Sequence, residues 1–177
     1  MNASIVLLVM LIISVPGEDP SMQADPTQEQ ILSAAREIMI SAHYCTLVTL
    51  DADGHPQARV MDAFEPEPDL SVWLGTNRIT RKVGELSRDS RVTLSYFDRD
   101  DPGYVTLLGE ARLVTDPEER VARWKDEWQA FYPDGPSSED YMLIEVRPFR
   151  IEVMSIKHAI ASDPQGWKPA FVELSSR

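Results

Sequence analysis

Residues 54–91 of the chain read GHPQARVMDAFEPEPDLSVWLGTNRITRKVGELSRDSR, and this stretch decides the fold prediction. Its alternation of β-branched and turn residues predicts a strand, an acidic proline-rich turn, a second strand and a short helix. The stretch concentrates positive charge, although the whole protein has a formal net charge of −12. Its cations are Arg59, Arg78, Arg81, Lys82, Arg88 and Arg91. Such a cluster in an acidic chain indicates a local anion-binding site.

Two of these cations, Arg81 and Lys82, lie near the predicted start of the helix. Backbone N–H groups and the helix dipole make that position favourable for a phosphate. Arg59 on the preceding hairpin strand can converge on the same anion, because arginine supplies a bidentate fork and lysine a point charge. Thr76 adds a hydroxyl donor. An alternative interpretation is a solvated helix face on which Arg81 pairs with Glu85 four residues later.

Composition excludes several other functions. A strongly acidic chain argues against nucleic acid or an anionic membrane as the main partner. The three histidines have no His or Cys partner at ligand spacing, so we expect no metal site. No G-x-S-x-G pattern or glycine-rich phosphate loop occurs. The single cysteine, Cys45, lies in an apolar strand pattern and is expected to be a buried thiol.

The first residues are set apart from the fold. Residues 5–13 form an unbroken apolar run with the length of a signal-peptide core, too short for a membrane span. No Lys or Arg precedes the run, and Met22 offers an alternative start. We therefore treat residues 1–24 as a leader or a misassigned start and residues 25–177 as one domain. The expected location is cytoplasmic, or outside the cytoplasm if the run is a true signal.

The rest of the chain predicts a mainly β (α+β) fold. A capping box at Thr27 and Gln30 begins an amphipathic helix, and a turn at residues 51–54 joins two strands as a hairpin. Gly109 marks a bulge or close backbone approach in a long strand, and Pro148 is expected to break or bend another. A helix is predicted from Asp116 to about residue 130. Six short strands with interrupting helices favour an antiparallel barrel with peripheral helices.

From residue 28 to about residue 156 the chain resembles the pyridoxamine 5′-phosphate oxidase-like family, particularly its general-stress flavoprotein branch. The segments that carry the resemblance are DGHPQARVMDA, LSVWLGTNRITRKVGELSRDSRVTLSYFD and YVTLLGEARLVTDPEER. The resemblance implies a six-stranded split β-barrel that binds FMN as a homodimer, with the flavin at the subunit interface.

The resemblance also implies roles for individual residues. Arg59 would contact the FMN phosphate, and Val60, Met61 and Asp62 would present backbone to the isoalloxazine ring. Four further residues would close around the ribityl chain and phosphate: Gly75, Thr76, Arg81 and Lys82. Tyr104 stands where relatives place a polar side chain from the second subunit, and Trp167 could cover the flavin edge. No side chain is assigned as a catalytic acid or base.

The expected function is an FMN-dependent oxidoreductase in which hydride passes through the flavin to or from an unassigned small substrate. The C-terminal sequence IKHAIASDPQGWKPAFVEL lacks the Arg-x-His element of the true oxidases, which argues against pyridoxamine phosphate oxidation. Two alternatives stay open. One is a non-catalytic flavin-binding, stress-protective protein, and the other is the same barrel with a deazaflavin or haem.

Overall fold

The computed structural model of the protein describes residues 25–100, 103–160 and 168–174. Within them the strands are β1 (Tyr44–Leu50), β2 (Pro56–Asp62), β3 (Val72–Asn77), β4 (Arg91–Asp98), β5 (Gly103–Val114), β6 (Tyr141–Ser155) and β7 (Ala170–Glu173). The α-helices are α1 (Gln28–Ala42), α2 (Arg81–Arg88) and α3 (Pro117–Ala122). Two 3₁₀ helices follow α3, at Asp126–Ala130 and Gly135–Ser137.

The strands form one antiparallel sheet in the order β2-β1-β4-β5-β6-β3, with the short β7 paired to β6. The two ends of this path, β2 and β3, approach each other, and within the described residues their pairing is the isolated bridge between Ala63 and Leu74. The sheet therefore curls without closing, which confirms the predicted antiparallel split barrel. The six predicted strands are the six on this path, and β7 corresponds to the short C-terminal extended segment.

Alternation along the strands places one row of apolar side chains inside the barrel. Leu47, Leu94, Leu107 and Ile151 stand opposite one another across four neighbouring strands, and all four are fully buried. Helix α1 packs against the same core, into which it buries Ile31, Ala34, Ala35, Ile38 and Met39. Burial of a large apolar side chain contributes about 1.5–3 kcal/mol. This inner layer is the main source of the barrel's stability.

Local sequence signals predicted several details correctly. Thr27 caps α1, and it forms the reciprocal capping box with Gln30. Gly54 has φ 82° in the β1–β2 turn, a conformation that favours glycine. The β5–β6 register shifts between Leu108 and Gly109, and a β-carbon on Gly109 would lie 2.4 Å from the Arg147 carbonyl oxygen. Pro148 faces this bulge, but β6 continues through it to Ser155.

The predicted helix from Asp116 to about residue 130 is wrong in its second half. Asp116 caps the helix as expected, but α3 ends at Ala122 and a 3₁₀ helix follows from Asp126. The Arg123 guanidinium lies 3.7 Å from the centre of the Trp73 ring, and the Arg123 carbonyl accepts a hydrogen bond from the Tyr141 hydroxyl. These tertiary contacts outweigh the local helical preference, which is worth only a few tenths of a kcal/mol per residue.

The outer face of the sheet is partly apolar. Tyr44, Val60, Phe97 and Phe171 all point outward and are more than half exposed. Exposed aromatic and aliphatic side chains on one sheet face are typical of a surface that packs against another protein. In the described part of the chain, no helix is long and apolar enough to cross a membrane.

Candidate functional site

The candidate site lies at one end of the barrel, where α2 packs against β1 and β5. On β2, Gln57, Arg59 and Met61 face inward, whereas Ala58 and Val60 face outward. Arg59 therefore extends toward α2 rather than into solvent, and its side chain is 18% exposed. Its contact with α2 is made to Glu85, the fifth residue of the helix, and not to the first turn where Arg81 and Lys82 lie.

The start of α2 keeps its backbone donors free of a side-chain cap. Thr80 is the N-cap residue, but its side chain makes no capping hydrogen bond to the helix. The Thr80 hydroxyl instead donates to the Asn77 carbonyl at 2.8 Å and accepts from Lys82 Nζ at 3.2 Å. A helix start whose N–H groups are not capped retains its affinity for an anion.

Lys82 is the cation with the fewest charged partners in the site. Its ammonium group donates to the hydroxyls of Thr76 (3.0 Å) and Thr80 (3.2 Å), and it forms no ion pair with a carboxylate of the described residues. Burial lowers the pKa of Lys82, and the positive charge of Arg59 lowers it further. Lys82 is thus a half-buried cation that an incoming anion would stabilise.

Glu85 lies between the two arginines and was not among the predicted site residues. It is 1% exposed, and its Oε2 accepts hydrogen bonds from Arg59 Nη2 at 2.8 Å and from the Thr49 hydroxyl. Arg81 Nε lies 2.8 Å from Glu85 Oε1, so the i,i+4 pair of the alternative interpretation forms, but Glu85 is buried and this side of the helix is not a solvated face. The four-residue spacing of Arg81 and Glu85 in the sequence predicts their contact. No feature of the sequence predicts the contact between Glu85 and Arg59.

Opposing effects set the ionisation of this carboxylate. Burial raises the pKa of Glu85, but the Thr49 hydrogen bond and the charges of Arg59 and Arg81 outweigh burial, so the pKa lies below its usual value. Arg81 also donates to Gln57 Oε1 at 3.0 Å and is 69% exposed. In the site, Arg59 and Arg81 each form an ion pair with Glu85, whereas Lys82 forms no ion pair with any residue that the structure describes.

The end of β2 has a different environment. Asp62 accepts from Lys125 Nζ at 2.8 Å, and His43 Nε2 lies 2.9 Å from the same carboxylate oxygen. Val60 is 70% exposed on the outer face, whereas Met61 is buried in the core. Of the predicted ring-contacting residues, Val60 is thus open to a ligand or partner, and Asp62 is held by two cationic side chains when His43 is protonated.

Gly75 is adjacent to Thr76 but faces the opposite side of β3. A β-carbon on Gly75 would lie 2.4 Å from Trp128 Cη2, so the indole covers this position. The segment after α3 lies over the outer face of β3 and β6, and it contributes Trp124, Lys125, Trp128 and Tyr132. The aromatic rings of this segment pack against Tyr141 at the start of β6. Gly75 is therefore packed beneath an aromatic cluster.

Tyr104 lies three strands from β2 along the sheet. It stands opposite Phe97 on β4 and Met154 on β6, and it points to the outer face. Three strand spacings amount to roughly 14 Å along the sheet, and Tyr104 points outward whereas Arg59 points inward, so the two side chains of one chain lie on opposite faces of the sheet. Trp167 lies outside the described residues.

A shallow cavity of about 410 Å³ lies elsewhere on the surface and is lined by Glu67, Pro68, Asp69, Ser71, Trp73, Arg123 and Glu145. None of the predicted cofactor-binding residues lines it. Its acidic character makes it unsuitable for a phosphate, and the Arg123 guanidinium over Trp73 already pairs with Glu67. The cation cluster around α2 is the better candidate for an anionic ligand.

The sheet is an open antiparallel split barrel, and a cluster of cations lies where α2 packs against it. A family model described as pyridoxamine 5′-phosphate oxidase like matches residues 30–160. The protein therefore belongs to the pyridoxamine 5′-phosphate oxidase-like family, as the sequence resemblance indicated. A search of curated proteins found no match.

Solved structures support the same fold. A Clostridium acetobutylicum protein related to general stress protein 26 of B. subtilis has a TM-score of 0.70 and 20% identity, and the match covers 84% of this chain and 97% of that one. A pyridoxamine 5′-phosphate oxidase-related, FMN-binding protein from Nostoc punctiforme has a TM-score of 0.61 and 13% identity, with coverage of 88% and 100%. A haem-binding protein from Mycobacterium smegmatis has a TM-score of 0.55 and 21% identity, with coverage of 75% and 55%. At these identities the likeness concerns the fold.

Proposed function

We propose that this protein binds FMN and holds its phosphate at the barrel end between Arg59, Thr76, Arg81 and Lys82. The observation that carries the proposal is Lys82, a half-buried ammonium whose described partners are two neutral hydroxyls. A phosphate placed there would gain charge-assisted hydrogen bonds from Lys82 and a helix start. Membership of the family, and the FMN-binding protein among the similar structures, support FMN as the ligand.

The ring of the flavin would lie along β2 toward Val60, Met61 and Asp62, at the outer edge of the barrel. We propose that a second copy of the chain completes this site as a homodimer. The partly apolar outer face supports this proposal, and so does the position of Tyr104 on the face opposite Arg59, three strands from β2 along the sheet. Tyr104 of a second copy would then contact the ring that the first copy holds by its phosphate.

When bound, the flavin would supply the hydride-transfer chemistry of an oxidoreductase. The side chains of this protein would anchor the phosphate, orient the ring and shape the cleft for an unassigned small substrate. We assign no side chain as a catalytic acid or base. Pyridoxamine phosphate is not the proposed substrate, because the chain lacks the Arg-x-His element noted above.

A haem or deazaflavin is the second candidate ligand, and the similar haem-binding structure is the observation in its favour. The absorbance spectrum of the purified protein distinguishes these ligands, since bound FMN gives flavin bands and haem a Soret band. Titration with FMN, followed by flavin fluorescence and thermal unfolding, then measures affinity. The proposal fails if FMN neither binds nor raises the Tm.

Oxidoreductase activity needs a separate experiment. Anaerobic mixing of the FMN-loaded protein with NADH or NADPH, followed by candidate acceptors, should bleach and then restore the flavin bands. A protein that binds FMN but is not reduced by any donor would instead be the non-catalytic flavin-binding protein considered above. The subunit arrangement can be checked by native mass spectrometry of the same sample, where a monomer with full FMN occupancy would contradict the shared site.

A further inference from the structure

The buried carboxylate of Glu85 is an unexpected feature of a site intended for an anion. It is the charged group nearest to both Arg59 and Arg81, with contacts of 2.8 Å to each. A carboxylate in this position repels a phosphate, yet it is also the group that holds the two guanidinium groups in place. The carboxylate lowers the net positive charge of the site, and that net charge determines which anion the site fits.

The charges of the site leave a definite excess. Arg59, Arg81 and Lys82 are cations and Glu85 is an anion, so the four groups together carry two net positive charges. The second pKa of a phosphate monoester is about 6, so at neutral pH such a group carries close to two negative charges. A phosphodiester carries one, and riboflavin carries none. The excess charge matches the monoester.

Glu85 also divides the cations into two kinds. Glu85 Oε2 accepts from Arg59, and the Thr49 hydroxyl bonds to both groups. Glu85 Oε1 contacts Arg81 Nε, and Arg81 Nη2 donates to Gln57. Lys82 has no ion-pair contact with Glu85 in the described residues: its ammonium group donates to two hydroxyls, and Glu85 acts on it only through charge, which raises the pKa of Lys82 against the larger effect of burial. Before a ligand binds, Glu85 thus offsets the repulsion between Arg59 and its cationic neighbours while leaving Lys82 available.

We propose that Glu85 sets the net charge of the site, so that the site fits a phosphate monoester dianion and binds it less tightly than three unopposed cations would. The proposal rests on the proposed function, since it concerns the same phosphate site. It predicts that neutralising Glu85 strengthens phosphate binding while it weakens the fold without ligand.

The matched control is Glu145, a second buried glutamate, which lies on β6. It forms ion pairs with two arginines, Arg112 on β5 and Arg147 on β6. Glu85→Gln and Glu145→Gln each remove one buried charge from a comparable environment, but only the first is in the candidate site. Both variants are expected to lower the Tm of the ligand-free protein, because each leaves two arginines without their common anion.

FMN and riboflavin are the two probes, measured by fluorescence titration at fixed ionic strength. Relative to wild type, Glu85→Gln is expected to bind FMN more tightly by about tenfold or more, because the negative charge that contacts Arg59 and Arg81 is removed from the phosphate site. Riboflavin affinity should not change, and Glu145→Gln should leave both affinities at the wild-type value. Equal or weaker FMN binding by Glu85→Gln would overturn the proposal.

The same titrations distinguish a failure of the proposed function from a failure of the role of Glu85. Failure of wild type to bind FMN would overturn the proposed function itself, whereas wild-type binding with no gain in Glu85→Gln overturns only the role of Glu85. If Glu85→Gln does not fold, the wild type decides: its FMN affinity should fall as the pH is lowered through about 6 and the phosphate becomes a monoanion, with riboflavin as the control for protein titration. An FMN affinity that follows riboflavin throughout would contradict dianion matching.

Discussion

The indole ring of Trp128 lies directly against the α-carbon of Gly75, so closely that a β-carbon there would come within 2.4 Å of Cη2. The same indole meets Phe64 and Tyr141 edge to face, and Lys125 lies 5.3 Å from its ring centre. Lys125 in turn binds Asp62 at the end of β2. The segment after α3 therefore joins β2 to β3 across the split of the barrel.

Gly75→Ala should destabilise the protein by about 1–3 kcal/mol, because the added methyl group overpacks the contact with Trp128. Urea unfolding followed by tryptophan fluorescence measures this change. Gly84→Ala is the control, since the nearest atom to a β-carbon there is 3.8 Å away and alanine favours a helix over glycine by about 0.5–1 kcal/mol. A Gly75→Ala variant as stable as wild type would contradict the close contact.

Lys82→Ala should weaken FMN binding by about 1.5–3 kcal/mol, the usual value of a charge-assisted hydrogen bond. Fluorescence titration of the variant against wild type gives this difference. Arg88→Ala, an exposed cation in the last turn of the same helix, should bind like wild type. Arg59→Ala should also lose FMN, but its stability must be measured alongside, because Glu85 would lose a buried partner. Wild-type affinity in Lys82→Ala would exclude the site.

Cys45 should not react with thiol reagents in the native protein. Burial raises the pKa of its thiol to about 12, so almost no thiolate exists near neutral pH. We expect slow reaction with Ellman's reagent at pH 8 and immediate reaction of one equivalent after unfolding in guanidinium chloride. Rapid labelling of the folded protein would show that β1 opens readily.

Glu37 on α1 should make stability depend on acid pH. Hydrogen bonds from Lys157 first, and from His158 second, lower the pKa of Glu37 from 4.5 to about 2. Because the folded pKa is the lower one, this stabilisation is complete above the unfolded value of 4.5 and is lost as pH falls from there to about 2. Chemical unfolding across this range measures the effect.

Glu37→Gln should show a smaller loss of stability over that acid range than wild type does. The control is Glu139→Gln, an exposed position for which we expect the wild-type pH dependence. Identical acid profiles for Glu37→Gln and wild type would mean that the contacts of Glu37 with Lys157 and His158 are too exposed to influence folding.

Local patterns alone determined much of this protein. The Thr27–Gln30 capping box and the Gly54 turn depend on hydrogen bonds or backbone angles within a few residues, and such signals can be read from the sequence. Strand alternation predicted the antiparallel barrel for the same reason. The bulge at Gly109 was marked by the glycine itself, although its partner is the distant strand β6. The placement of Arg81 and Lys82 at the start of a helix was likewise a local inference, and the structure confirms it.

Only the tertiary structure decided how distant segments meet. Glu85 contacts Arg59 because α2 packs against β1, the strand next to β2, and nothing in either segment specifies that pairing. α3 ends at Ala122 because Arg123 and the tryptophans after it gain more from packing on β3 and β6 than from another helical turn. Helical preference amounts to a few tenths of a kcal/mol per residue, whereas a buried aromatic contributes several times more. Long-range packing therefore determined two features: the ion pair of Glu85 with Arg59, and the position of the segment after α3 over β3 and β6.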